Sequence, residues 1–504
     1  MDILSFLISS KGLGVIASIL VSILVAYMVL KKYKPQAVLF LGGITLLVLV
    51  ILISLAWGET PQIIGNPNLP PGHILNKIKT LGNPLLDIFA SIEGLFINRV
   101  AGLGLIIMSV MGFVKYMDAI GANRMLVRVG VKPLKFIKSP YIVLVFGFLI
   151  GISMKMAITS AAGLGVLLMA TMFPILLSLG VSRMAATAVI ATTGCIDLGP
   201  AAGINVAIAE ASHILTSDGK ADMAMYFIKY QLPVAIPVII VVAILHFFVQ
   251  YWFDKKEGYA PQANQAIEAD EDEIKVPSFY AFLPLMPLVF VLIFNELVIL
   301  EFNKILAFMG STAAIPITTV SLVTVIIISV FITMIIEYIR LLDLKKVFDS
   351  IQNVFDGMGA AFAGVITLIV AGETFAAGLL TTGSINTILV FAKEAGAGVV
   401  PITVFMQGLI TVASLLMGSG DAAIFSFLSV GNVVAEHFGS EAVGVLMPMQ
   451  ICSSLARSFS PITAAVVAVS AIAGVSPVEV VKRTAIPMIG GIITLTVANI
   501  ILFL

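Results

Sequence analysis

Two short polar interruptions lie inside apolar stretches of the chain, and each combines small residues with a hydroxyl group. The first is "TSAA" at 159–162 and the second is "GSGD" at 418–421. A helix interrupted at membrane depth leaves unsatisfied N–H groups and a partial positive charge at its new N-terminus, and both attract anions. We predict that the returning helices start near Ala161 and Asp421. Each tip would then offer amide donors and a hydroxyl to one carboxylate.

Charged residues at similar depth are the next candidates. Arg457 would cost on the order of 3 kcal/mol or more inside a bilayer, and its forked guanidinium matches a carboxylate. It either contacts a substrate or pairs with Asp197 or Asp421. Those two acids could bind a coupling proton, help to ligate Na⁺, or neutralise the arginine. Glu373 is a third ion-coupling candidate, either as a proton carrier or as a helix-end acid that faces water.

The predicted site combines these tips with two proline-interrupted spans, "ATTGCIDLGPAAGIN" (191–205) and "ICSSLARSFSPIT" (451–463). Lys155, at the entrance of the first tip, either attracts anions or extends its ammonium to the membrane surface, as such lysines more often do. The histidines lack metal-ligand spacing, so no metal site is assigned. The candidate substrate-binding residues are Thr159, Ser160, Ala161, Asn205, Ser419, Gly420, Ser454, Arg457, Ser458 and Ser460.

Composition sets the class of protein that must position these residues. The chain has 504 residues, of which 60% are hydrophobic and 11% charged, whereas soluble domains carry about 25% charged residues. Apolar runs of about 20 residues, enough to cross a bilayer, recur along its length. We therefore predict an all-α polytopic membrane protein. An intramembrane protease using Ser419 is disfavoured, because the nearest histidine, His437, lies at the far end of the same helical arm.

The apolar pattern predicts about ten transmembrane helices and two re-entrant helical hairpins, at 140–180 and 397–438. A hairpin is favoured at these two places because each arm has fewer than about 20 residues. With this topology most Lys and Arg residues fall on the cytoplasmic side, as the positive-inside rule requires. The predicted crossings are 12–30, 37–57, 99–120, 182–210, 225–250, 278–300, 315–336, 357–380, 442–473 and 484–503.

The two halves of the chain resemble each other in their order of elements. The first repeat, 1–254, contains the hairpin at 140–180 and the broken helix at 182–210. A cytoplasmic acidic linker, 255–277, leads to the second repeat, 278–504, with its hairpin at 397–438 and broken helix at 442–473. Each repeat has five crossings, an odd number, so the repeats should have inverted topology. Inverted repeats with discontinuous helices are typical of secondary transporters.

Four stretches carry a resemblance to a known family: "SAAGLGVLLMATMFPILLSLGVSR" (160–183), "DLGPAAGIN" (197–205), "GSGDAAIFSF" (418–427) and "LARSFSPITAAVVAVSAIAGVSPVEVVKRTAIP" (455–487). On these motifs the chain resembles the anaerobic C4-dicarboxylate carriers of the Dcu type C family, within the ion transporter superfamily. The resemblance implies transport of fumarate, malate, succinate or aspartate across a bacterial inner membrane. It also implies a homodimer whose hairpins and broken helices move as an elevator, with Ser160, Ser419 and the 454–460 stretch on the substrate.

The expected function is therefore secondary transport and not enzymatic catalysis. A Gly-rich nucleotide loop is absent from the sequence, so exchange or cation-coupled symport would drive transport. We expect no cofactor beyond a coupling ion, Na⁺ or H⁺, and no nucleic-acid partner. The alternative is a transporter of the same fold that carries another organic anion, an amino acid or a peptide-like solute.

Overall fold

The computed structural model describes residues 9–31, 33–69, 73–137, 139–216, 219, 221–259, 276–294, 299, 303–304, 309, 320–394 and 396–504. Throughout these ranges the secondary structure is helical, with no strand. Nine of the described helices are long and apolar enough to cross a membrane. The predicted class, an all-α polytopic membrane protein, is confirmed. The number of crossings and the inverted repeats remain predictions.

Parts of the predicted elements lie outside the described residues. They comprise 260–275 of the acidic linker, 295–298 and 300 of the span predicted at 278–300, and 315–319 of the span predicted at 315–336.

The described chain divides into two compact units, and each unit draws on both halves of the sequence. The first unit contains Met1–Gly104, Phe362–Met449 and Phe503–Leu504. Its helices are α1 (Ser10–Leu30), α2 (Pro35–Ala56), α3 (Pro84–Arg99), α14 (Thr367–Thr381), α15 (Ser384–Glu394), α16 (Val399–Met417) and α17 (Gly420–Phe438).

The second unit contains Leu105–Ala361 and Gln450–Leu502. Its helices before the linker are α4 (Leu105–Ala119), α5 (Ala122–Val131), α6 (Pro140–Met154), α7 (Ala161–Ser178), α8 (Arg183–Thr192), α9 (Gly203–Ala211) and α10 (Leu232–Lys256). Those after it are α11 (Met286–Ile293), α12 (Leu322–Leu341), α13 (Leu344–Ala361), α18 (Ala442–Arg457), α19 (Ala464–Ala473) and α20 (Pro477–Phe503). Only the part of α18 from Gln450 onwards belongs to this unit.

Two long helical runs pass between the units at segments with π-helical hydrogen bonding. The run from Pro84 to Ala119 has such a segment at Val100–Gly104, where Gly102 leaves helical geometry. The run Leu344–Thr381 has one at Phe362–Ile366. Single-turn π segments of this kind commonly mark functional sites within helices. The predicted spans at 99–120 and 357–380 begin later than these runs because charged residues interrupt the apolar pattern in the earlier turns. They are Asp87 and Glu93 in the first run and Lys345, Lys346, Asp349 and Asp356 in the second.

All four predicted breaks are present. The first hairpin region is divided by residues 155–160 between α6 and α7, and the second by residues 418–419 between α16 and α17. The broken helices are interrupted at 193–202, around Pro200, and at 458–463, around Pro461. Proline removes a backbone donor and obstructs the preceding turn, which explains why α18 ends at Arg457, four residues before Pro461. Pro200 lies within the first interruption, eight residues beyond the end of α8.

Each unit has its own buried core. In the first unit α14 packs against α2 and α17, and the approach is close because glycines lie at the contacts. A Cβ on Gly43 would lie 2.6 Å from the carbonyl of Thr374, and one on Gly372 would lie 2.5 Å from the carbonyl of Phe425. In the second unit α19 packs against α7 and α8, and α6 against α10.

A buried ionic network ties α10 to α20 in the second unit. Arg483 is 1% exposed, and its guanidinium lies 2.6 Å from Asp254 and 2.6 Å from Glu257. The hydroxyl of Ser182, which caps α8, donates to Asp254 at 2.8 Å. This network fixes the end of α10 against the first turns of α8 and α20.

Candidate functional site

The tip of the first hairpin rests on the interruption of the first broken helix. α7 begins at Ala161, as predicted, and the hydroxyl of Ser160 accepts a hydrogen bond from the amide of Gly163 at 3.1 Å. A Cβ on Gly194 would lie only 2.6 Å from the Cβ of Ala161. The absence of a side chain at Gly194 thus allows the N-terminal end of α7 to approach the 193–202 segment.

Asp197 is the centre of a buried ionic cluster in this unit. Its Oδ1 lies 2.8 Å from the ammonium of Lys155, and its Oδ2 lies 2.8 Å from Nη2 of Arg457. The hydroxyl of Ser454 donates to the same Oδ2 at 2.8 Å. The sequence left open whether Arg457 pairs with an acid, and the structure pairs it with Asp197.

Lys155 is not placed as the sequence favoured. Its side chain is 1% exposed and does not extend to the membrane surface. Its ammonium also donates to the main-chain carbonyl of Thr159. The expectation that the Lys155 ammonium extends to the membrane surface is therefore wrong, because a buried carboxylate lies within reach of it.

The backbone of the 193–202 segment is held by two amide side chains. Asn205 donates to the carbonyls of Asp197 and Gly199, both at 2.7 Å, and Gln231 donates to the Asp197 carbonyl at 2.9 Å. Gln231 also accepts from the amide of Gly199 at 3.1 Å. Gly199 has φ +100°, a conformation that favours glycine. The donor group of Asn205, a predicted substrate ligand, thus supports the loop that carries Asp197.

The C-terminal end of α18 supplies the other predicted polar residues. Ser454 faces Asp197, whereas the hydroxyl of Ser458 donates to the Ser454 carbonyl at 3.0 Å. Ser460 is fully buried within the interruption. Thr463 donates to the carbonyl of Arg457 at 2.7 Å and joins the two parts of the broken helix. Ser454 therefore contacts the ionic cluster through its hydroxyl.

The second hairpin tip has the same local design and lies in the first unit. α16 ends at Met417, its C-cap Gly418 has φ +64°, and α17 starts at Gly420. Ser419 is the N-cap of α17, and its hydroxyl accepts from the amide of Ala422 at 3.2 Å. Asp421 lies in the first turn of α17, where a carboxylate is favoured by the helix dipole.

Glu373 is also in the first unit and is buried in α14. Its carboxylate lies 2.5 Å from Nη2 of Arg99, at the end of α3. The sequence offered a proton carrier or a helix-end acid facing water, and burial argues against the second. The arginine partner was not foreseen, because it is separated from Glu373 by most of the chain.

Several buried polar atoms of the second unit have no hydrogen-bond partner within the described part of the chain. They include Oγ1 of Thr159, Oδ1 of Asn205 and both side-chain polar atoms of Gln450. Gln450 is fully buried and lies one helical turn before Ser454 on α18, so the two residues share a face. Sequence reasoning missed Gln450, although its four-residue spacing from Ser454 was a usable signal. Buried polar atoms without a partner need a water, an ion or a ligand.

A helical membrane protein with buried charges at helix interruptions has the construction of secondary transporters. Comparison with known proteins specifies the family. The family model described as "C4-dicarboxylate anaerobic carrier", DcuC, matches residues 13–504. The chain therefore belongs to the DcuC family of C4-dicarboxylate anaerobic carriers, which confirms the resemblance found in the sequence.

Relatives along nearly the whole chain agree with this assignment. A protein of Vibrio cholerae serotype O1, named "Probable anaerobic C4-dicarboxylate transporter DcuC", is 35% identical over 97% of this chain and 98% of its own. The Escherichia coli K12 "Anaerobic C4-dicarboxylate transporter DcuC" is 34% identical over 94% of each chain. These names confirm the prediction of a transporter and not an enzyme.

Two solved structures share the fold. The Neisseria gonorrhoeae MtrF structure, from a class titled antimetabolite efflux pumps, aligns with a TM-score of 0.56 over 90% of this chain and 94% of its own. The Alcanivorax borkumensis YdaH transporter aligns with a TM-score of 0.55 over 91% and 98%. Both are 15% identical to this chain, so they support the fold alone.

Proposed function

We propose that the protein carries C4-dicarboxylates, namely fumarate, succinate, malate and aspartate, across the bacterial inner membrane. Exchange or coupling to Na⁺ or H⁺ would drive transport, and a homodimer with elevator-type alternating access would perform it. Family membership supports the substrate class. The geometry around Gly194 supports a binding site for a carboxylate.

Gly194 contacts both anion-attracting groups of the second unit. Its Cα faces Ala161 at the N-terminal end of α7, and its carbonyl accepts from Nη2 of Arg457 at 3.4 Å. The amide donors of the hairpin tip and the guanidinium are thus adjacent to one residue. This is the observation that carries the proposal, because a helix N-terminus and an arginine together favour a carboxylate.

The second carboxylate of the substrate would bind at the second hairpin tip. Ser419 caps α17 as Ser160 caps α7, and the first-turn amides of both helices point into an interruption. A dicarboxylate has one carboxylate for each of the two tips. A monocarboxylate would use only one of them, and selectivity for dicarboxylates would follow from the loss of the second interaction.

A substrate panel in vesicles tests this function. Purified protein is reconstituted with internal unlabelled fumarate, and uptake of labelled succinate is followed with and without Na⁺ and pH gradients. We expect unlabelled dicarboxylates outside the vesicles to compete with labelled succinate, and dicarboxylates inside the vesicles to accelerate its uptake. Acetate and neutral amino acids should have neither effect. Competition by monocarboxylates or peptide-like solutes that exceeds competition by dicarboxylates would reject the proposed substrate class.

The contribution of Arg457 is tested with two substitutions. Arg457→Ala should abolish exchange, and Arg457→Lys should recover only part of it because an ammonium lacks the planar fork. Lys482→Ala is the matched control, since Lys482 is exposed and pairs only with Glu479 one turn away among the described contacts. Normal exchange by Arg457→Ala would remove this residue from the site.

A further inference from the structure

The position of Lys155 is not explained by anion attraction. The residue directly follows α6 and lies at the start of the 155–160 interruption. Its ammonium contacts two oxygens, the Oδ1 of Asp197 at 2.8 Å and the main-chain carbonyl of Thr159. The side chain therefore turns back within the hairpin tip and lies away from lipid and water.

The oxygens around this ammonium are those that a small monovalent cation prefers. Carboxylate and main-chain carbonyl oxygens are ligands for hard cations. In transporters with discontinuous helices, unwound carbonyls and the C-terminal ends of half-helices coordinate the coupling ion. Lys155 is the C-cap residue of α6, and the dipole at the C-terminal end of a helix favours a cation. Oγ1 of Thr159 is a further buried oxygen nearby, with no hydrogen-bond partner in the described ranges.

We propose that Lys155 is a tethered cation that permanently fills an ion site at the first hairpin tip. Its ammonium takes the place of an exchangeable Na⁺ between Asp197 and the carbonyl of Thr159. The first hairpin then needs no coupling ion to hold its tip against the 193–202 segment. Any ion that drives transport must bind elsewhere in the protein. The inference rests on the proposed function only in treating this hairpin as part of the transport machinery.

Two substitutions of Lys155 distinguish a filled ion site from an ordinary ion pair. Lys155→Ala removes the ammonium and leaves space among the oxygens, whereas Lys155→Met removes the charge but keeps the volume occupied. Thermal unfolding of each purified variant is followed by intrinsic fluorescence in choline chloride, NaCl or methylammonium chloride, at about 100 mM salt so that weak binding is detected by mass action. This measurement requires no substrate and no transport.

We expect NaCl or methylammonium to raise the unfolding temperature of Lys155→Ala by several degrees relative to choline, with no such difference for Lys155→Met. Should Lys155→Ala fail to fold in choline, we expect folded protein when it is prepared in NaCl or methylammonium. Equal behaviour of the alanine variant in all three salts, folded or unfolded, would overturn the proposal. An equal response of Lys155→Met would overturn it too, because that variant has no vacancy to fill.

Uptake assays then distinguish this proposal from the proposed function. If wild-type vesicles exchange dicarboxylates, the same cations should restore exchange to Lys155→Ala at least about tenfold above its choline level. If wild-type vesicles do not, the proposed function fails, while the cation response of unfolding still decides the role of Lys155. Restored stability without restored exchange, in vesicles where the wild type is active, would show that the ion site lies outside the transport machinery and would contradict the proposal.

Discussion

A single added methyl group at Gly194 should displace the first hairpin tip. In Gly194→Ala the new Cβ would lie 2.6 Å from the Cβ and 3.2 Å from the Cα of Ala161. Carbon atoms pack best at about 3.5–4.0 Å, so the two backbones must separate by roughly 1 Å. Gly194 has no positive φ, and alanine is therefore compatible with its backbone. The effect should come from the displacement itself.

The displacement should reduce transport more than it reduces stability. Overpacking of this kind lowers folding stability by about 1–3 kcal/mol. We expect a chain with this much buried helix packing to remain folded after such a loss. A shift of about 1 Å in groups that position a substrate can lower activity on the order of a hundredfold. We therefore expect folded Gly194→Ala with initial rates of succinate exchange reduced by about ten- to a hundredfold.

Gly408→Ala is the matched control for this variant. Gly408 lies in α16, and a Cβ there would meet nothing within 4 Å. Both variants are reconstituted at equal protein density, and initial rates are measured across a range of succinate concentrations. Equal exchange rates and equal succinate concentrations at half-saturation in the two variants would show that the Gly194 contact does not position the tip.

Three further predictions concern the buried charges. Asp197→Ala should destabilise the protein by roughly 3–5 kcal/mol, because buried cations lose their shared carboxylate. Its unfolding temperature should be well below that of Asp197→Asn, because asparagine keeps an acceptor oxygen. Arg483→Ala should destabilise the protein by a similar roughly 3–5 kcal/mol, since it leaves Asp254 as a buried acid without its cationic partner. Thermal unfolding in detergent measures this loss. Burial lowers the pKa of His73 below its ordinary value of 6.5, with Glu373 opposing this shift. The unfolded chain therefore takes up a proton that the folded chain does not, and stability should fall as pH decreases through 6.5 and below.

Each of these predictions has a control and a contradicting result. Equal melting of Asp197→Ala and the wild-type protein would show that the carboxylate cluster does not stabilise the fold. For Arg483→Ala the control is Lys482→Ala, whose exposed ion pair should be worth at most about 1 kcal/mol, and equal effects would contradict the argument. His73→Asn keeps an acceptor for the amide of Leu75, which His73 caps at 3.3 Å, and should flatten the pH dependence. An unchanged slope in that variant would exclude His73 as its cause.

The interruptions could be predicted from the sequence because local chemistry determines them. Gly418 ends one helix with a positive φ, Ser160 and Ser419 cap the helices that follow the two hairpin tips, and Pro461 stops α18. Glycine, N-cap and proline preferences act over a few residues. An apolar background around such residues therefore reveals where each helix ends.

The ion pairs could not be predicted because they depend on contacts between distant segments. Lys155 meets Asp197 because the hairpin tip packs on the 193–202 segment, where a Cβ on Gly199 would lie 3.4 Å from Met156. The pair between Arg99 and Glu373 joins α3 to α14 across most of the chain. Hydrophobic periodicity identifies the buried face of a helix but not the segment that packs against it. The sequence therefore offered several partners for Arg457 and could not distinguish among them.

The central claim is that each hairpin tip binds a carboxylate of a dicarboxylate substrate. Ser160→Cys and Ser419→Cys test it in separate variants, against a low background because the native Cys195 and Cys452 are both buried. The measurement is the rate at which a charged thiol reagent modifies each cysteine as succinate is added. We predict that succinate protects both positions with the same half-maximal concentration and that acetate protects neither. Protection of only one tip, or equal protection by acetate, would contradict the claim.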